Sequence, residues 1–179
     1  MASIRDQGMA AARLVVALSS MADVSPTLAL NNAHAVELSW LEPADLAVLI
    51  AQAWYAKCSP DQTAFLLAFD QSAAYESLNF LWFRARYPRF VYVDRVCVEA
   101  AARGRGLARA MYEDLFRLAE QQGFEVVCCE VNSDPPNPAS EQMHAALGFE
   151  QVGQALLPSH KTVSYLTRKL ASPAQPSVV

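Results

Sequence analysis

The sequence is short of cysteine, of charge and of long apolar runs. Its 179 residues include four cysteines, Cys58, Cys97, Cys128 and Cys129, and no C-x-x-C pair. Without such spacing there is no frame for a zinc site, so no metal is expected. Three of the four fall in strand-like apolar segments, where a reduced cysteine behaves as a small hydrophobe. That usage fits a reducing cytoplasm. No apolar run approaches the ~20 residues a membrane-spanning helix needs. The mild stretch Leu14 to Leu18, preceded by Arg5 and Asp6, lacks the long apolar core of a signal peptide. Charged residues are 18% of the chain and the net charge is -4. That balance lacks the basic footprint of a nucleic-acid binder, although it leaves room for a small local patch that holds phosphates. The P-loop pattern G-x-x-x-x-G-K-[ST] is missing. So is the third glycine of G-x-G-x-x-G, because the residue three after Gly106 is Arg109. Neither NTP hydrolysis nor NAD binding is supported.

What is present is a chain 53% hydrophobic, long enough to bury a core without staples. The reading is a single domain over residues 1–170 and a flexible tail over 171–179, where Ser172, Pro173, Pro176 and Ser177 cluster. Residues 1–12 read as irregular and Arg13 to Leu18 as a first strand. Ser25 and Pro26 suit the cap and first position of a helix to about Ala33. Pro43 opens a second helix, with Leu46, Leu49, Ile50, Ala53 and Trp54 on one face. Ala64 to Phe69 reads as a buried strand. Leu78 to Arg86 is rich in aromatics and shows no clear period. Phe90 to Val98 is a β-rich run. From Leu107 the spacing of Leu107, Met111, Leu115, Leu118 and Ala119 is helical, closed by Gly123. Val126 to Val131 is strand-like. Asn137 and Pro138 open a short helix to Leu147, and Glu150–Leu156 and Thr162–Leu166 are further strands. The order strand, glycine turn, helix, strand, short helix, strand, strand indicates an α/β fold, with a mixed sheet flanked by helices.

The turn Arg103-Gly104-Arg105-Gly106-Leu107-Ala108 follows the Val98 strand and opens a helix. Main-chain N–H groups at a helix start, with the positive end of its dipole, suit a phosphate or pyrophosphate. Gly104 and Gly106 allow close approach. Arg103, Arg105 and Arg109 concentrate positive charge in an otherwise acidic chain. Taken alone, such a turn also serves simply as a solvated strand–helix junction.

The hexapeptide resembles the R/Q-x-x-G-x-G/A motif of the GNAT superfamily of acyl-CoA-dependent N-acetyltransferases. The context matches: a strand ending at Val98, an amphipathic helix, a strand ending at Asn132, and Asn137 with Leu147-Gly148-Phe149 like that superfamily's last helix. Tyr92-Val93-Asp94-Arg95, the loop from Asn132 to Pro138 and the segment Leu30-Asn31-Asn32-Ala33-His34 are similar to an uncharacterised bacterial branch. The resemblance implies a mostly antiparallel sheet of about seven strands in which the Val98 strand and the Val126–Val131 strand splay apart. It implies acetyl-CoA as co-substrate. The amides from Gly104 to Arg109, in the stretch Arg103, Gly104, Arg105, Gly106, Leu107, Ala108 and Arg109, would hold its pyrophosphate. The backbone of Val96, Cys97 and Val98 would pair with the pantetheine arm, and Asn132 and Asn137 would lie beside it. A homodimer is common in the superfamily.

Direct transfer from a thioester to an amine needs a neutral amine, a near-attack geometry, a stabilised oxyanion and a proton for the departing sulfur. The N–H of Val98 is the oxyanion candidate. The superfamily's usual acid is a Tyr four residues before the glycine of the last helix. Here that position is His144, which titrates near neutrality when unperturbed; the alternative is a helix residue beside the cofactor. Asp94, on one strand face with Tyr92, Val96 and Val98, is the base or amine-anchoring candidate, the alternative being a structural pair with a nearby arginine. Arg95, on the other face, reads as structural, and Cys97 as no nucleophile. Tyr75, Asn79, Trp82 and Tyr92 are candidates for the acceptor pocket, with His34 and Glu37 as a lid; core packing and an exposed helix end are the alternatives. The expected acceptor is an amine of a small molecule or peptide, with neither nucleic acid nor membrane as partner. The competing readings are a non-catalytic acyl-CoA-binding module and a scaffold that binds no CoA.

Overall fold

The computed structural model describes residues 15–171. The first twelve residues, the start of the expected first strand and the tail from residue 172 lie outside the described residues. Seven strands form one sheet in the order β1-β2-β3-β4-β5-β7-β6. They are β1 (Val16–Ala17), β2 (Tyr55–Cys58), β3 (Ala64–Asp70), β4 (Val91–Val98), β5 (Val126–Asp134), β6 (Glu150–Leu156) and β7 (Thr162–Lys169). β1 with β2, β2 with β3, β5 with β7 and β6 with β7 are antiparallel. β4 and β5 run parallel, with Val91 opposite Val127 and Tyr92 opposite Cys128. This is the mixed, mostly antiparallel sheet the resemblance implied. The helices are α1 (Ser25–Ala33), α2 (Ala35–Leu38), α3 (Pro43–Gln52), α4 (Leu78–Arg84), α5 (Leu107–Gln121) and α6 (Pro138–Ala146).

The chain divides into two compact units. The first runs through Ala74 and resumes over Val93–Leu115. Its centre is β3, where every residue from Ala64 to Phe69 is fully buried. A strand covered on both faces reads as a continuous apolar run, which is why its period is invisible in sequence. The β2 strand was not expected, since Ala53 and Trp54 extend the helical pattern of α3. Ala53 instead turns extended at φ -68°, ψ 133°. Long-range partners decide this: Tyr55 pairs with Ala68 of β3, and its hydroxyl donates to Asp114 Oδ2 at 3.1 Å. Lys57 Nζ meets the same carboxylate oxygen at 2.6 Å.

The second unit comprises Tyr75–Tyr92 and the chain from Phe116 onward. The aromatic run without a period is α4, which buries Phe80 and Phe83. Phe80 meets Tyr92 edge-on at 5.6 Å, and Phe83 meets Tyr165 in the same way at 5.3 Å. Tertiary packing of rings, rather than helix propensity, fixes this segment. β7 runs three residues beyond its expected end at Leu166 because it pairs along β5 as far as Lys169 opposite Val126.

Candidate functional site

The site begins with the alternation of β4. Val93, Arg95 and Cys97 are buried, whereas Asp94, Val96 and Val98 are half-buried. Asp94, Val96 and Val98 therefore share one face, as period-two patterning requires. Arg95 Nε donates to Asp94 Oδ2 at 2.6 Å, and Arg95 Nη1 donates to Asn31 Oδ1 at 2.8 Å. The expected opposition of the two faces holds for the backbone, yet the long arginine side chain folds back to its neighbour. Asn31 of α1 is fully buried and also donates to the Ser39 carbonyl. Asn32 clasps Leu41 through both N–H and C=O. The paired asparagines thus tie the segment after His34 to Arg95. Burial pushes the Cys97 thiol up to about 11, so it stays protonated and is a poor nucleophile.

After Val98 the chain makes the glycine turn. Gly104 and Gly106 take φ of +77° and +76°, the left-handed region open to glycine. No atom lies within 4 Å of where a Cβ would stand on either. The main-chain hydrogen bonds recorded around the turn run from Arg103 N to Ala100 O and from Ala110 N to Gly106 O. The amides from Gly104 to Arg109 donate in neither. The first turn of α5 contains no acidic residue. Arg103 Nε reaches the Val98 carbonyl at 3.4 Å. Arg105 approaches Asp61 at 3.8 Å and Arg109 approaches Glu113 at 3.9 Å, all four side chains more than half exposed. Asp61 is held down to about 2 by hydrogen bonds from Ser59 and Thr63.

The second unit holds the other expected residues. Asn132 lies in β5 opposite Val163. Asn137 N donates to the Asn132 carbonyl, and its side chain accepts from Ser140 N as the N-cap of α6. His144 is buried in α6, edge-on to Phe149 at 5.2 Å. Its Nδ1 lies 2.8 Å from the Ser140 carbonyl, which can only accept. Nδ1 therefore carries a proton, and the neutral ring has its lone pair on Nε2. Burial lowers the pKa of the imidazole. Tyr75 and Tyr92 tilt together at 6.5 Å, and Trp82 stacks on Tyr165 at 4.1 Å.

Residues 30–149 match the Acetyltransferase (GNAT) family, a stretch longer than half of the chain. The chain belongs to the GNAT family. This membership bears out the resemblance read from the Arg103–Ala108 turn. Over 88 residues the chain is 32% identical to the L-2,4-diaminobutyric acid acetyltransferase of Wolinella succinogenes, covering 46% of this chain and 51% of that protein. The chain thus spans about half the length of this curated relative. The ribosomal-protein-S18-alanine N-acetyltransferase of Escherichia coli superposes with a TM-score of 0.63 over 92% of this chain and 97% of that one, at 16% identity. Arabidopsis thaliana NAA60 in complex with acetyl-CoA gives 0.60 over 82% of this chain and 95% of that one, also at 16% identity. At such identities the likeness is one of fold.

Within this GNAT chain, Val96 to Val98, the glycine turn, Asp94 and His34 fall in the first unit. Asn132, Asn137, His144, Tyr75, Asn79, Trp82 and Tyr92 fall in the second. Sequence reasoning passed over Glu130 and Tyr165. Glu130 carried the same signal as Asp94, a lone carboxylate in an apolar strand, Val126-Val127-Cys128-Cys129-Glu130-Val131. Among the described residues no group of three or more His, Cys, Asp or Glu could hold a metal ion. Among them, too, no helix is long and apolar enough to cross a membrane.

Proposed function

We propose that this chain moves an acetyl group from acetyl-CoA to a primary amine of a small molecule or peptide by direct attack. One observation carries the reading. The start of α5 joins two left-handed glycines, main-chain donors from Gly104 to Arg109 and three arginines, with no acid in its first turn. Cations at a helix N-terminus oppose its dipole, at about 0.3–1 kcal/mol each. A diphosphate at that end reverses the sign of the arrangement. The donor set fits such a group: main-chain amides within reach of an anion and guanidinium groups that are only loosely paired.

When bound, acetyl-CoA supplies an acetyl thioester whose C–S bond is exchanged for a C–N bond, with one proton passing in net from nitrogen to sulfur. Val96, Cys97 and Val98 offer main-chain groups to the pantetheine arm, and the N–H of Val98 faces the oxyanion. Asp94, fixed by Arg95, holds the incoming amine. The proton of His144 sits on Nδ1 against the Ser140 carbonyl, so its Nε2 lone pair first takes the proton released by the amine and then passes it to the departing sulfur. The acceptor is a small cationic amine. The acidic net charge of -4 supports that class, as does the relative named for L-2,4-diaminobutyric acid. All four cysteines are free and buried, which supports a reducing compartment such as the cytoplasm as the setting of the reaction.

The test is acetyl-CoA-dependent thiol release over a panel of amines, comparing wild type with Asp94→Asn and His144→Ala. Turnover on at least one amine, reduced by both substitutions, is the expected result. Turnover unchanged by either one removes that residue from the mechanism. Calorimetric binding of acetyl-CoA without release on any amine would leave a non-catalytic acyl-CoA-binding module, and no binding would leave a scaffold.

A further inference from the structure

One face of the sheet in the second unit carries a carboxylate together with two tyrosines. Glu130 stands in β5 between the buried Cys129 and Val131 and is itself half-buried. Its partner across the ladder in β7 is Tyr165, so the two side chains share a face. Asn79 of α4 joins them. Its Nδ2 donates to Glu130 Oε1 at 2.8 Å, and its Oδ1 accepts from the Tyr165 hydroxyl at 3.1 Å. The polarity of this relay is determined: the carboxylate only accepts, so the amide nitrogen faces it and the amide oxygen is left to accept from the phenol. Burial, and then the charge of Glu130, raise the pKa of Tyr165, which keeps the phenol proton in place.

The rings are held as firmly. Trp82 stacks on Tyr165 with planes 21° apart. Opposite Tyr165 in β6 is Gly153, where an added Cβ would fall 2.7 Å from the Trp82 ring. Only glycine lets the indole lie there. The guanidinium of Arg86 lies over the indole at 3.8 Å. Tyr92, opposite Cys128, stands on the face that Glu130 shares.

A chain that places a charged group in an apolar strand bears a desolvation cost. Here it also orients that group through an amide and a phenol, on a sheet face that carries Tyr92 and Tyr165 as well. An oriented anionic oxygen on a face shared with aromatic residues is an acceptor suited to an organic ammonium. We propose that Glu130, oriented by Asn79 and Tyr165, selects an acceptor with a second cationic group besides the amine that is acetylated. In class, this is a diamine or a basic amino acid. The proposal rests on the N-acetyltransferase reading above and names its acceptor.

The experiment compares 1,3-diaminopropane with propylamine, which differ by the second ammonium. Wild type favours the diamine in kcat/KM. In Glu130→Gln the ratio of the two kcat/KM values falls at least about 30-fold, mainly through KM for the diamine, as for loss of one partner of a charge pair. Tyr165→Phe, which leaves the charge and removes the orienting hydroxyl, lowers the ratio by about 3- to 10-fold. An unchanged ratio in a folded Glu130→Gln variant, or a wild type that prefers propylamine, overturns the proposal. If Glu130→Gln does not fold, Glu130→Asp and Tyr165→Phe are read instead, and a ratio unchanged in both overturns it. If no amine is turned over, the enzyme reading fails separately. Calorimetric titration of 1,3-diaminopropane into CoA-loaded protein then decides: weaker binding in the variant upholds the proposal, and equal or absent binding overturns it.

Discussion

The starts of α5 and α6 are built on opposite plans. At α6 the side chain of Asn137 accepts from Ser140 N, Pro138 takes the first turn, Glu141 adds an acid there and His144 a base in the last turn. The cap, the proline and the acid each satisfy or remove an orphan donor or match the dipole, while His144 is buried and neutral there. The start of α5 has Arg103, Arg105 and Arg109 near its positive end, two left-handed glycines and no acidic residue in its first turn. Read as structure alone, it is a poor helix start. On the proposed reading, these features together suit an anion. At its start α6 keeps the local rules of a helix, and α5 breaks them where binding is proposed.

The comparison is broken most directly by removing charge at α5. Arg105→Gln with Arg109→Gln raises the Kd for acetyl-CoA by about 10- to 100-fold, because charge-assisted bonds contribute about 1.5–3 kcal/mol. Stability changes by less than about 1 kcal/mol, since exposed ion pairs contribute little and relief of the dipole offsets their loss. A large loss of Tm in this variant, with unchanged affinity, would make the arginines structural. Gly106→Ala comes next. With open space around the Cβ, its cost is that of φ at +76°, about 1–2 kcal/mol. Acetyl-CoA affinity is expected to fall with it, read by calorimetry beside the denaturant midpoint. At α6 the effect is on folding: Asn137→Ala costs about 0.5–2 kcal/mol as a lost cap, and Asn137→Ser restores most of it. If CoA affinity stays low in the Ser variant, Asn137 also contacts the cofactor.

The smallest effect is pH-dependent. The pKa of His144 is lowered in the folded state from about 6.5, so the unfolded chain takes up the proton first. The contribution is favourable above that value and is lost as pH falls toward the folded pKa. Tm therefore drops between about pH 8 and about pH 5 by more in wild type than in His144→Gln, where that titration is absent. Equal slopes would contradict the burial argument.

Much of this was legible because it is local. The Arg103–Ala108 turn, the Asn137 cap and the alternation of β4 follow from residues a few positions apart. What was missed depends on distant partners. Tyr55 leaves the helical pattern for β3 and Asp114, and the rings of α4 lack a period because Tyr92 and Tyr165 position them. Asp94 was singled out, but its guanidinium partner is the adjacent residue, which strand alternation assigns to the other face. Glu130 carried the same signal and went unread, because its meaning comes from Asn79, far away in sequence.

On the proposed reading, the amides at the start of α5 hold the diphosphate of acetyl-CoA. The most direct measurement is the change in amide ¹H and ¹⁵N resonances as CoA is titrated into the labelled protein. The account predicts that the resonances of Gly104 to Arg109 shift together and saturate at one Kd, while that of Ser140, already donating to Asn137, moves far less. Binding of CoA with the resonances from Gly104 to Arg109 unmoved would contradict it.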